Sequence, residues 1–261
     1  MLNSKLTVGH ADTGPGDLAN YFPLSSGDTW TYSVSTNGAA ATSAEVRAVG
    51  VATLRNGAMV IPVSLSTTTF PLPGPGGVAP VFKYNDFYLK DTSGLVSYGG
   101  STDPAGVTAL APSYQELKLP AKVGDTLVAV DKTGNFDLGT DLDGDGIPET
   151  LTRYKLDKLV APYQNIGALR CMVVENHFLV ALTLSASKMT IVFTSIGKWY
   201  LASGVGVVRT VEIDNWARSD GVEGPENITQ RDLIDATVGG ASLLKQLPSG
   251  TEFEAASERE E

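Results

Sequence analysis

The chain has little of what catalysis and nucleic-acid binding most often draw on. One cysteine and two histidines stand among 261 residues. A lone cysteine excludes an internal disulfide framework, and so few thiolates and imidazoles leave a zinc-type site poorly supplied. Lys and Arg number 19 against 29 Asp and Glu, a formal charge of −10. A phosphate-binding surface needs clustered basic residues, so nucleic acid is excluded as a partner. No apolar run approaches the roughly 18 to 20 residues of a membrane-spanning helix, and no transmembrane segment is expected. The start, MLNSKLTVGHADTGPGDLAN, lacks the basic flank and apolar stretch of a signal segment, so an exported protein would have had its signal removed from this chain. No Gly-x-Ser-x-Gly elbow, His-Glu-x-x-His helix, phosphate loop or dinucleotide fingerprint occurs.

What is present is Thr, Val, Tyr and Gly in short alternating runs, the period-two pattern of half-buried strands. The expected fold class is mainly β: an antiparallel sheet, curved or partly closed into a barrel or sandwich, with little helix. Strands are expected over 29–36, 43–54, 58–70, 81–91, 94–99, 125–133, 149–161, 168–185, 188–195 and 206–216, with a further one through QRDLIDATV (230–238). PLPGPGGVAP (71–80) reads as a loop, since proline lacks a ladder donor. Residues 1–20 are expected to be a flexible N-terminal segment, 21–240 a single β-rich domain and 241–261 an acidic tail. Two similar halves with a boundary near 115 are suggested by PLSSGDTW (23–30) and PAKVGDTL (120–127), which share Pro and Gly-Asp-Thr at one spacing. Such a segment makes a turn that launches a strand.

YFPLSSGDTWTYSVS (21–35) and GKWYLASGVGVVRTVEI (197–213) resemble the paired signatures of the TapB-like group of exported bacterial proteins and lipoproteins of unknown function. LVAPYQNIGALRCMVVEN (159–176) sits where that group carries a segment feeding a strand, while LAS at 201–203 stands where it has Ala-Pro. The resemblance implies an extracytoplasmic location (periplasm, cell surface or secreted) and an antiparallel β fold. The residues support a plainer reading of the same signatures. Trp30 and Tyr32 share one strand face, and Gly204 and Gly206 permit close approach of aromatic rings.

The chemical lead is DLDGDGIPET (141–150). Two like charges about 4 Å apart repel by ~1 kcal/mol in water and ~4 kcal/mol at a protein surface, so either the loop splays into solvent or a cation sits inside it. Asp141, Asp143, Asp145 and Gly146 reproduce positions 1, 3, 5 and 6 of an oxygen-ligand calcium loop, Ile147 offers a carbonyl at position 7, and Glu149 takes position 9. Asp137 could complete the shell. Position 12 is Thr152 instead of a bidentate Glu, and no helix is expected on either side, so the loop resembles thrombospondin-type calcium repeats more than a helix-loop-helix switch. Ca²⁺ is expected over magnesium, which demands a tighter octahedron.

Neither His177 nor Cys171 offers a nucleophile pair, being six residues apart in one strand, about 20 Å at ~3.3 Å per residue. The expected function is a non-enzymatic, exported cell-envelope β protein with a structural calcium loop, possible partners being a lipid or other apolar small molecule. The alternatives are a self-associating adhesive or filament subunit, and a secreted hydrolase whose carboxylates converge only in the fold.

Overall fold

A computed structural model describes residues 21–41, 43–69 and 82–243. The proline-rich loop at 71–80, His10 with the rest of the first 20 residues, and the tail beyond 243 lie outside the described residues.

The alternating segments form strands, all paired antiparallel. In chain order they are β1 (Thr29–Thr36), β2 (Ser43–Val49), β3 (Thr53–Arg55), β4 (Ala58–Thr69), β5 (Phe82–Asp91), β6 (Gly94–Gly100), β7 (Tyr114–Lys118), β8 (Thr126–Asp137), β9 (Thr150–Ile166), β10 (Leu169–Thr183), β11 (Thr190–Ala202), β12 (Gly206–Arg218), β13 (Asn227–Val238) and β14 (Ala241–Ser242). One helix, α1 (Ala105–Leu110), lies between β6 and β7. The expected strand over 43–54 is broken at Gly50, and β3 folds onto β4 instead of extending β2. The alternation predicts no strand or helix between 99 and 120, where α1 and β7 stand.

The sheet order is β7-β6-β5-β4-β2-β1-β13-β12-β11-β10-β9-β8. Taken round a circle this is an up-and-down meander, a twelve-stranded barrel nearly closed between β7 and β8. It consists of two six-stranded meanders joined where β1 pairs β13. Each meander opens on the same turn. Gly27 N–H donates to the Val49 carbonyl, Val49 N–H to the Asp28 carbonyl, Asp28 N–H to the Ser25 carbonyl, and the Asp28 carboxylate accepts from Ser25 N–H. Gly124, Val160, Asp125 and Lys122 repeat all four bonds at the head of β8. The shared Gly-Asp-Thr therefore does the same mechanical work twice: it caps its own turn and starts a strand in register with the next.

Residues facing one another across a ladder share a face, so Trp30 and Tyr32 lie with Arg47 and Glu45, and onward with Leu65, Tyr84 and Tyr88. This is the inner face. Its main apolar cluster draws Trp30, Tyr32, Val63, Tyr88, Leu95, Leu117, Val174 and Leu201 from strands all round the wall. Charges lie inside as well. Glu45 pairs with Arg47 at 2.7 Å and Arg231 at 2.8 Å, and Arg231 also holds Glu212 at 2.7 Å.

Beyond the ladders, contacts among the described residues bridge the interval between β7 and β8. Buried Glu116 of β7 pairs with buried Lys158 of β9. At one end α1 packs on β8, and Gly106 N–H donates to the Leu138 carbonyl at 3.0 Å. A Cβ on Gly106 would lie 1.9 Å from the Asp137 carbonyl oxygen, so only glycine permits this approach. The contact anchors the stem of the acidic loop. Among the described residues no helix is long and apolar enough to cross a membrane.

Candidate functional site

The loop between β8 and β9 winds its carboxylates inward through its own backbone. Asp141 accepts from Gly144 N–H at 2.6 Å and Gly146 N–H at 2.7 Å, which holds its carboxyl below the usual carboxylate range. Gly144 and Gly146 have φ of +81° and +85°, the left-handed conformation that lets those amides turn toward the aspartate. Asp143 Oδ2 reaches across to the turn after β10 and accepts from Ala186 N–H at 3.1 Å, while Ser185 Oγ donates to the Ile147 carbonyl at 3.1 Å. Two connections distant in sequence are thereby latched together.

Asp141, Asp143 and Glu149 each bring a carboxylate oxygen within 4.8 Å of the others. The two aspartates are exposed, whereas Glu149 is 0% exposed. Glu149 Oε1 accepts from Asp143 N–H at 3.1 Å, but the buried Oε2 has no partner. The remaining candidates stand apart from this group. Asp145 Oδ1 accepts from Ile147 N–H at 2.8 Å, and Asp137 Oδ1 from Gly139 N–H at 2.7 Å. No helix flanks the loop, which runs directly from β8 to β9.

The two aromatic and glycine signatures meet on the inner face. Trp30 Nε1 donates to the Val205 carbonyl at 2.7 Å and the Tyr32 hydroxyl to the Val207 carbonyl at 2.8 Å. Between those carbonyls Gly206, at φ +99°, would place a Cβ 3.3 Å from Trp30 Nε1 and Pro23 Cδ. The aromatic rings pack across glycine. Asp86 lies near them beside a cavity of about 30 Å³, room for about one water. Burial pushes the Asp86 carboxyl up to about 6, with Arg47 pulling the other way and Glu116 and Asp103 adding to the rise.

Cys171 is buried, and burial pushes its thiol up to about 11. His177 is half-exposed, 3.7 Å from Glu175. Strand β10 runs through both without a turn.

No family model and no curated protein matches this chain. Similar solved structures include a protein assigned as a lipoprotein from Parabacteroides distasonis, 14% identical at a TM-score of 0.38, the match covering 84% of this chain and 99% of that one. Another is a protein assigned as exported, with a YmcC-like fold, from Bacteroides fragilis, 12% identical at a TM-score of 0.33 with the same coverage.

Proposed function

We propose that this chain is an exported, non-enzymatic β-barrel protein of the bacterial cell envelope, held in shape by a structural calcium ion in the 141–149 loop. The observation that carries the metal is Glu149, a fully buried side chain with an unpartnered Oε2 beside two further carboxylates. A buried carboxylate oxygen without a donor is costly, and a cation among three carboxylates removes both that cost and their repulsion. Asp141, Asp143 and Glu149 would hold the ion, leaving room in an oxygen-rich shell for water. An all-oxygen donor set suits Ca²⁺. Its contribution there is charge neutralisation and loop closure.

The loop carries a second ligature, Asp143 to Ala186, so a bound ion would also fix the turn between β10 and β11. Extracellular modules hold calcium weakly, at roughly 10⁻⁴ to 10⁻³ M, which fits the cell exterior and the TapB-like signatures.

Thermal unfolding with calcium, magnesium or chelator, on the wild type and Asp143→Ala, tests the reading. Calcium is expected to raise the wild-type midpoint more than magnesium does and to leave the variant unmoved. Equal responses to both ions, or none, would count against it.

A further inference from the structure

The inner face of β9 to β12 carries a second site, independent of the acidic loop. A cavity of about 210 Å³ is walled by Tyr114, Tyr154, Phe178 and Trp199. A second, of about 330 Å³, reaches the same Lys158 and Glu116 from the seam between β7 and β8. Ladder register builds the floor. Lys158 faces Asn176, Asn176 faces Gly197, and Gly197 faces Glu212, with Trp199 opposite Thr210 in the next row. At Gly197 an added Cβ would meet Glu212 Cγ at 3.7 Å and Asn176 Cβ at 3.8 Å, ordinary contact distances. A methyl fits there, while a longer side chain would fill the space above the floor.

Two features select the occupant. The charges around the cavity are already neutralised: Lys158 pairs with Glu116 and donates to Asn176 Oδ1 at 2.6 Å, and Glu212 pairs with Arg231. An ionic ligand would have to break such a pair and leave a buried charge alone. Among the residues lining this cavity, the buried group still lacking a partner is instead uncharged: Asn176 Nδ2, in a side chain that is 9% exposed. Buried donors are nearly always satisfied, so an acceptor belongs at Asn176. An alkyl chain supplies none. The aromatic walls meanwhile call for apolar C–H surface on the same ligand.

We propose that this groove binds an uncharged saccharide, its ring packed among Tyr154, Phe178 and Trp199 and its hydroxyls meeting Asn176. Saccharides combine C–H faces with hydroxyls that both donate and accept, the pairing the lining requires.

The test is calorimetric and tryptophan-fluorescence titration of the full chain with maltohexaose, cellohexaose and mannohexaose as uncharged probes, beside trigalacturonate and palmitate. Saturable binding of at least one uncharged oligosaccharide is expected, stronger than that of either other probe. Gly197→Leu should weaken it by about tenfold or more, and Gly197→Ala by much less; Trp199→Ala should weaken it about tenfold, with Trp199→Phe retaining most of the affinity. Circular dichroism identifies any variant that fails to fold, in which case the other pair decides. Absence of binding by all three uncharged probes at millimolar concentration overturns the proposal. So does preferential binding of palmitate or trigalacturonate, or an affinity unchanged in the folded Gly197→Leu and Trp199→Ala chains.

Discussion

Glu116 and Lys158 form a buried ion pair across the interval where, among the described residues, no ladder joins the barrel wall. Lys158 also lies 5.3 Å from the centre of the Trp199 ring, so one ammonium ties β7, β9 and β11 together. Removing one partner from such a pair leaves an uncompensated charge in a low-dielectric interior. Lys158→Met is expected to cost about 3–5 kcal/mol in urea unfolding, and the double change with Glu116→Leu to recover most of it. If the single and double variants unfold at the same urea concentration, the pair is not what holds the seam.

Glu149 gives a prediction whose size depends on metal. In chelator its carboxylate is buried beside two others with Oε2 unpartnered, so Glu149→Gln should stabilise the chain by about 1–3 kcal/mol. In 10 mM calcium the wild type should gain about 1.4–2.7 kcal/mol, as for a ligand at 10 to 100 times a dissociation constant of 10⁻⁴ to 10⁻³ M, and the variant nothing. Differential scanning calorimetry in the two buffers reads the narrowing of the variant's advantage. Parallel shifts in both proteins would place the calcium elsewhere.

Asp86 makes stability depend on pH. Its folded carboxyl is raised to about 6, chiefly by burial, so the native state holds a proton the unfolded chain releases near 3.9. The stabilisation is complete below pH ~4 and is lost as pH rises through about 6. Asp86→Asn, which stays neutral, should therefore gain on the wild type across that window, by on the order of 2 kcal/mol at pH 7. Urea midpoints from pH 4 to 8 give the difference curve, and a flat one would assign the titration to another group.

Gly206 couples the two aromatic-glycine signatures. Its φ of +99° and the 3.3 Å approach to Trp30 Nε1 make Gly206→Ala strained in backbone and in contact, with an expected cost of more than about 1 kcal/mol. Trp30→Phe keeps an aromatic ring but loses the bond to Val205 and some buried volume, for at least about 1 kcal/mol. Because both act at one contact, the double variant should fall short of the sum. Additive losses in guanidinium unfolding would separate the two signatures.

Much of this was written locally. Strand β1 runs from Thr29 to Thr36, as alternation alone indicates, because period-two patterning and the Gly-Asp turn before it are properties of adjacent residues. The same holds for most of the wall, and for the spacing of Asp141, Asp143 and Glu149, which any chain tracing would preserve. The resemblance of residues 23–30 to 120–127 likewise marked two equivalent turns. Segment 105–118 carries no legible pattern because α1 is six residues long and β7 five, too short for either period to emerge.

Other features depend on atoms that meet only after folding. Sequence spacing puts five acidic side chains near one bend, but the fold alone decides that Glu149 is sealed from solvent while Asp145 and Asp137 are occupied by neighbouring amides. No local pattern pairs Glu116 with Lys158, 42 positions apart, or sets Asn176 and Trp199 around one cavity. Within each meander neighbouring strands follow from residue pattern, because each hairpin is set by its own turn, whereas the β1–β13 pairing that joins the two meanders brings distant segments together. Burial, charge pairing and enclosed space are sums over distant segments, and only closure of the barrel fixes them.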